Sequence, residues 1–408
     1  MYIYFFIIIP FLGLIYDVLA YIGLDREKIK LFGLLFKDFL IIILILHAIY
    51  IILFKNKNNI KSHSDLTPII TIIMIGVLWL TPNISNLSWP VIMASIRNYI
   101  IYPLSFIAGY YVNYNASVYG NENKVKLLYF SFIVNCILAV LQYFQIVTSP
   151  YAEIGLPSGS FILVHGGFIS YIELGFFIAI SILILSLLKN RFFLSIFLAL
   201  IGIIVVVLSQ SRAGLLNSII SLFCLLSIKI NKILLILLFI IIYFLLMLTP
   251  LIDIEVLARF SNSSSDPRYL YILPYAIKEF SLHPYLGSGI GSSGAASTVD
   301  LETAFIGEQY LDSSILSMIL QFGIIGFFLI QICFYFIISK IYKLLKVVKM
   351  NQFRFQFFVF LLLCFLYSIF FNFIDGWPGS IWFYGGLGYV LGYLRNCERS
   401  IHLRVNKI

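Results

Sequence analysis

Residues Phe192–Ser227 read FFLSIFLALIGIIVVVLSQSRAGLLNSIISLFCLLS. Two apolar runs are separated by a polar stretch, Ser209–Arg212. A membrane span needs about 20 mostly apolar residues, so the pattern predicts two membrane helices joined by a tight polar turn. An arginine at the end of a span either extends its side chain to the lipid headgroups or faces a polar pocket. The neighbouring serines and glutamine favour a polar pocket around Arg212.

The composition extends this interpretation to the whole chain. Hydrophobic residues make up 61% of the 408 residues and charged residues only 11%, whereas a soluble domain has about 45–50% and roughly 25%. Roughly twelve runs are apolar enough to span a membrane, and they lie near residues 1–23, 31–54, 67–82, 94–113, 127–147, 161–187, 192–208, 213–228, 233–250, 310–338, 357–374 and 380–395. We predict an all-α polytopic membrane protein, with residues 1–408 forming one integral membrane domain.

The distribution of charge predicts the orientation of this domain. If both termini are cytoplasmic, 18 of the 27 basic residues lie inside, together with only three acidic residues, Asp65, Glu122 and Glu398. This bias follows the positive-inside rule. The net charge of +9 is spread over several short loops, so it does not indicate a nucleic-acid partner.

One connection, residues 251–309, is much longer than the others and is predicted to be external. Such loops are usually functional, and we expect this one to contain short helices and part of the active site. Asp266 as N-cap and Pro267 at the first helical position predict a helix start. Arg268 in its first turn would add a cation to the backbone N–H groups there, which makes an anion site.

A glycine-rich stretch follows the predicted helix, and it contains the pattern G-x-G-x-x-G at Gly289, Gly291 and Gly294. No strand precedes the pattern, so we exclude a dinucleotide site. Small residues instead predict that the backbone closely approaches a ligand or another helix. His283, before Pro284, either marks the turn or contacts substrate.

Several charged residues are predicted to lie at the external mouth. Arg97 and Arg259 are further cations there, although headgroup contact and a solvated loop are their respective alternatives. Glu302 and Glu308 precede Asp312, for which two compatible roles are predicted, a cap of the following helix and a base. Arginines bind phosphate bidentately and stay charged. The pattern therefore favours a diphosphate lipid headgroup as ligand.

Three blocks in this order resemble the O-antigen ligase and polymerase superfamily: SQSRAGLL, DPRYLYILPYAIKEFSLHPYLGSGIGS and LDSSILSMILQFGIIG. The resemblance covers residues 190–340 strongly and the rest by topology. It implies that Arg212 and Arg268 hold the lipid diphosphate. The ligase branch has a His-Asn pair eleven residues before the Gly of FGIIG, where this chain has Asp312 and Ser313. The missing histidine favours the polymerase branch.

The resemblance implies a glycosyltransferase in the bacterial inner membrane. The expected activity joins undecaprenyl-diphosphate-linked oligosaccharide units into O-antigen or a related surface polysaccharide. Catalytic candidates are Asp312, Arg268 and Arg212, and candidate substrate-binding residues are Arg97, Arg259, Tyr269, His283, Glu302 and Glu308. Expected partners are the lipid-linked donor and acceptor, membrane lipids and a chain-length regulator. No nucleotide or metal cofactor is expected, because the diphosphate already activates the donor.

Two alternatives remain open at this point. An O-antigen ligase would use the same donor but transfer the glycan to lipid A core. A flippase or other transporter would also suit about twelve spans with external cations. Transporters tend to have repeat symmetry and helices broken at the midplane, and the sequence indicates neither.

Overall fold

The computed structural model describes residues 61–114, 122–147, 171–185, 192–209, 211–227, 273–294, 313–370 and 379–405, with single positions 15, 18, 19, 39, 42, 43, 45, 46, 50, 164, 166, 168 and 374. These residues form helices and turns and contain no strand, so the predicted all-α class is confirmed for this part of the chain. The predicted spans 1–23, 31–54 and 233–250 lie outside the described residues apart from single positions. The count of about twelve spans stays a prediction.

Eleven α-helices follow one another in the described ranges: α1 (Lys61–Leu80), α2 (Trp89–Ile96), α3 (Tyr102–Tyr114), α4 (Glu122–Tyr143), α5 (Tyr171–Leu185), α6 (Phe192–Leu208), α7 (Arg212–Leu226), α8 (Leu273–Leu282), α9 (Ser314–Val347), α10 (Asn351–Phe370) and α11 (Gly379–Val405). A 3₁₀ helix (Thr81–Asn86) follows α1, and a π-helix (Arg97–Ile101) joins α2 to α3. The helices α6 and α7 begin and end within two residues of the predicted runs 192–208 and 213–228.

Two of these helical stretches, Trp89–Tyr111 and α9, are long and apolar enough to cross a membrane. Six other apolar helices have 10–17 residues. These assignments rest on length and composition only, and a buried helix of a soluble protein also meets these criteria. Helix length alone therefore does not define the class of protein.

Helices α3 and α11 pack backbone to backbone through glycines. A Cβ atom on Gly388 would overlap the carbonyl oxygen of Phe106, and one on Gly392 would overlap that of Tyr110. Small residues at helix interfaces allow this close approach, which is how membrane helices gain packing energy without a hydrophobic driving force. The contacts advance in step along both chains, so the two helices run parallel, as the predicted topology requires.

A buried ionic cluster joins four helices at one end of the bundle. Asp65 on α1 is fully buried and accepts hydrogen bonds from Arg395 Nε and Nη2 on α11, at 2.7 and 2.8 Å. Tyr110 of α3 donates to the same carboxylate at 3.1 Å, and Lys340 Nζ of α9 lies 3.5 Å away. The charge pattern predicts all four residues on the cytoplasmic side. We call this the inner end and the opposite one the outer end.

Helix α9 is interrupted at Gly323, whose φ of 63° and ψ of −175° are not helical. The predicted span 310–338 therefore consists of two helical segments that meet at Gly323. Residues 324–347, about 36 Å long, are enough to cross the bilayer. Residues 314–322 form a separate helical segment, which we call the α9 entry segment.

Candidate active site at the outer end of the bundle

The polar turn between α6 and α7 is a helix cap that places Arg212 at the first position of α7. Ser211 has extended backbone angles, and its hydroxyl accepts a hydrogen bond from the Gly214 N–H at 3.2 Å. Ser209, at the end of α6, is fully buried and donates to the Val206 carbonyl at 2.8 Å. A serine before a helical run supplies this cap and satisfies a backbone N–H group. The backbone of Arg212 thus starts a helix at the outer end.

The start of α9 is capped in the same way, by Ser313. Its hydroxyl accepts from the Leu316 N–H at 3.3 Å and also donates to the Ser368 carbonyl of α10 at 3.3 Å. The prediction that Asp312 caps this helix is therefore wrong, because the residue after it occupies the N-cap position. Asp312 itself lies outside the described residues, one position before the cap.

The starts of α7 and α9 each contact α10, at neighbouring residues. A Cβ atom added to Gly175 of α5 would lie 2.9 Å from Ser211 Oγ and 3.1 Å from the Tyr367 hydroxyl, so both oxygens lie against this glycine. The next residue of α10, Ser368, binds Ser313. Each of these two serines is adjacent to a predicted catalytic residue. Arg212 follows Ser211, and Asp312 precedes Ser313.

The α9 entry segment crosses the outer end of the bundle. At its start Ser313 contacts α10, and at its end the Phe322 carbonyl accepts a hydrogen bond from Trp79 Nε1 of α1 at 3.1 Å. Both partners lie near the outer ends of their helices. The segment spans about 14 Å, which suits one to two helix spacings. It therefore bridges α10 and α1 at the outer end.

The glycine-rich loop after α8 docks against the break in α9. Ser288 N–H donates to the Leu320 carbonyl at 2.8 Å and Gly289 N–H to the Gln321 carbonyl at 3.1 Å. Beyond the break, Ile324 N–H donates to the Pro284 carbonyl at 2.9 Å. The loop thus supplies the hydrogen bonds that the interrupted helix lacks. The sequence predicted that these glycines approach either a ligand or another helix. The structure shows a helix, α9, as their partner.

Gln321 connects this loop to the segment that carries Arg97. Its side chain is fully buried; Oε1 accepts from the Gly291 N–H at 3.1 Å, and Nε2 donates to the Tyr99 hydroxyl at 2.8 Å and Ser317 Oγ at 2.7 Å. Tyr99 and Arg97 belong to the π-helix between α2 and α3. Such π-helical turns are rare and are frequent at functional sites.

The predicted site residues are described to different extents. Arg97 is half-buried at the start of the π-helix, and His283 is exposed directly after α8. The structure describes the backbone of Arg212 at the start of α7. The remaining predicted residues lie outside the described ranges: Arg259, Arg268, Tyr269, Glu302, Glu308 and Asp312.

Sequence reasoning missed three residues that organise the outer end: Trp79, Gln321 and Tyr367. A signal existed for Gln321, which is a lone amide in the apolar run SMILQFGIIG. Polar residues inside spans are functional or structural suspects by default. Trp79 and Tyr367 gave no such signal, because aromatic residues are common throughout this chain.

Helix α8 rests on the α9 entry segment through Ala276, which packs with Leu320. Burial, followed by the nearby Glu279 carboxylate to which its hydroxyl hydrogen-bonds, raises the pKa of Tyr275. Across the described ranges, no three His, Cys, Asp or Glu side chains are grouped as metal ligands.

These features define a helical bundle whose outer end carries two capped helix starts, the bridging α9 entry segment and a docked loop. A family model described as O-antigen ligase matches residues 197–331. The matched region contains all three sequence blocks, and it confirms the resemblance to the O-antigen ligase and polymerase superfamily. Members of that superfamily are integral membrane proteins that transfer glycosyl groups, and the match covers residues 197–331 of the 408-residue chain. Among curated proteins, none matches this chain.

Proposed function

We propose that this protein is a polymerase that joins undecaprenyl-diphosphate-linked oligosaccharide units at the outer face of the bacterial inner membrane. The observation that carries the proposal is that the α7 and α9 starts contact adjacent residues of α10, Tyr367 and Ser368. One start bears Arg212, and the other directly follows Asp312. In this proposal the Arg212 cation and the Asp312 carboxylate act from these two starts on one centre, where a hydroxyl attacks a diphosphate-activated sugar.

In the proposed reaction, a hydroxyl of the acceptor glycan attacks the anomeric carbon of the donor. The new C–O bond forms as the bond to the diphosphate breaks, and undecaprenyl diphosphate leaves. Asp312 takes the proton of the attacking hydroxyl, which is general base catalysis. Arg212 and Arg268 stabilise the negative charge that develops on the leaving diphosphate. The product stays lipid-linked and can react again.

The remaining candidates take supporting roles in this proposal. Arg97 grips the diphosphate of one of the two lipids, and Arg259 assists it from the external loop. Tyr269 and His283 contact sugars, while Glu302 and Glu308 orient hydroxyl groups. The carboxylate at position 312, in place of the histidine of the ligase branch's His-Asn pair, supports polymerisation over ligation.

A ligase remains the second candidate, because the matching family model is described as O-antigen ligase. The two activities differ in their acceptor, so a test must vary the acceptor. Purified protein in liposomes is given undecaprenyl-diphosphate-linked repeat units as the sole glycan, and the products are separated by length.

A ladder of lengthening glycans is expected for the polymerase. Arg268→Ala should abolish the ladder, whereas Lys278→Ala, which removes an exposed cation of the same external segment, should retain it. Single transfer that requires added lipid A core would instead identify a ligase. Movement of labelled lipid across the bilayer without glycan transfer would identify a transporter.

A further inference from the structure

The turn that directly follows α8 exposes three large apolar side chains. Leu282, Tyr285 and Leu286 have 60%, 68% and 62% of their surface exposed. The turn belongs to the segment predicted as an external loop, where water would surround it. Exposing three large apolar groups side by side in water is unfavourable, at about 25 cal/mol per Å².

This turn has a fixed position relative to the membrane helices. Tyr285 carbonyl accepts from the Ile325 N–H at 3.1 Å, and Leu286 carbonyl accepts from Trp79 Nε1 at 2.8 Å. Gly287, which has a φ of 72°, lies so close to the Gly323 backbone that an added Cβ atom would be 2.5 Å from its nitrogen. The turn is therefore held at the level of the break in α9.

The depth of that level follows from helix geometry. Gly323 precedes Lys340, the first of the inner-end lysines, by 340 − 323 = 17 residues, which is about 26 Å of helix. Trp79 follows the buried Asp65 by 79 − 65 = 14 residues, or about 21 Å. The hydrocarbon core of a bilayer is about 30 Å thick. Both measures place the turn at or inside the outer boundary of the hydrocarbon.

The exposed surface continues directly onto the lipid-facing side of α9. Ile325 and Phe328, just beyond the break, are 45% and 59% exposed. Together with the turn they form one apolar surface that begins at Leu282 and runs toward the inner end.

The backbone carbonyls of the turn do not oppose its burial in lipid. Hydrocarbon tolerates irregular backbone only where its polar groups find partners within the protein. The carbonyls of residues 283–286 all accept hydrogen bonds, from Gly287, Ile324, Ile325 and Trp79. The exposed polar side chain of the turn is His283, at the end nearer the headgroups and α8.

We propose that the Leu282–Leu286 turn is a wedge that inserts among the acyl chains of the outer leaflet. It anchors the external segment at the membrane and keeps the loop docked on the break in α9. The proposal does not depend on which reaction the protein performs.

Spin labels on the full chain test this insertion in phosphatidylcholine–phosphatidylglycerol liposomes that contain no polyprenyl lipid. The label is attached at Leu286→Cys and, separately, at Tyr285→Cys. Phe328→Cys provides the lipid-facing reference and Arg399→Cys, exposed at the inner end, the aqueous reference. Four native cysteines are buried, and Cys397→Ser removes the fifth.

Collision of each label with oxygen, which concentrates in lipid, is compared with collision with a water-soluble nickel chelate. Labels at positions 285 and 286 are expected to match the position 328 reference, with oxygen collisions several times more frequent than collisions with the nickel chelate. Values that match position 399 would overturn the proposal. Shielding that appears only after undecaprenyl diphosphate is added would also overturn it, because the occupant would then be the substrate tail.

Discussion

At the residue scale, the cap of α9 separates the roles of two neighbouring side chains. Ser313 holds the helix start and binds α10, so Asp312 is left to chemistry in our proposal. Ser313→Ala should lower stability by about 1 kcal/mol through loss of the cap. Asp312→Ala should leave the melting temperature in detergent unchanged while abolishing transfer. An equal fall in melting temperature for both variants would contradict this assignment.

The guanidinium of Arg212 is proposed to bind diphosphate through its fork of N–H groups, which lysine lacks. Arg212→Lys keeps the charge and the helix start but loses bidentate contact. We expect the transfer rate to fall by at least about tenfold, since hydrogen bonds to charged groups contribute about 1.5–3 kcal/mol. Lys278→Ala, assayed in parallel, should keep the wild-type rate, and a fully active Arg212→Lys would mean that a point charge suffices.

At the element scale, the break in α9 depends on Gly323. Its φ of 63° is strained for any residue with a side chain, and an added Cβ atom would overlap the Tyr285 carbonyl oxygen. Gly323→Ala should therefore displace the docked loop and lower stability by about 1–3 kcal/mol or more. Loop release is measured by protease cleavage near Gly287.

A matched change on the same helix is Ile332→Ala, which removes a lipid-facing side chain that is 49% exposed. It should leave cleavage near Gly287 unchanged. Equal cleavage in both variants would show that the loop does not depend on the break.

The sequence predicted the elements much better than their connections. Uninterrupted apolar runs with polar ends gave the bounds of α6 and α7 closely, because composition alone defines a membrane helix. It did not predict the break at Gly323, since glycine is frequent in membrane helices and its backbone angles depend on the loop that docks there. The residues of that loop that contact the break are 30 or more positions earlier in the chain, and Gly291 and Gln321 are 30 apart.

The candidate site was predictable in kind but not in arrangement. Arg212 and Asp312 stood out because charge inside or beside a span is costly. The contacts of the neighbouring Ser211 and Ser313 with α10 were not predictable, because long-range packing brings α10 against both helix starts.

At the scale of the whole molecule, the ionic cluster around Asp65 fixes the inner ends of four helices. Arg395→Met would leave the fully buried carboxylate with Lys340 at 3.5 Å as its nearest cation. Breaking a buried pair from one side costs about 3–5 kcal/mol, so we expect a large fall in melting temperature.

Two controls refine this prediction. Glu398→Gln removes the partly exposed partner of Arg395 and should change stability by only about 0–1 kcal/mol. The double variant Asp65→Leu/Arg395→Met should recover much of the loss, because the fully buried carboxylate is then removed as well. A double variant less stable than Arg395→Met would contradict this account.

The central claim is that Arg212 and Asp312 serve one transition state at the outer end. Its most direct test is the initial rate of glycan polymerisation in liposomes for wild type, Arg212→Lys, Asp312→Asn and the double variant. Groups that act as a unit are non-additive, so the double variant should be about as slow as the slower single one. Effects that multiply, or a wild-type rate for Asp312→Asn, would contradict the claim.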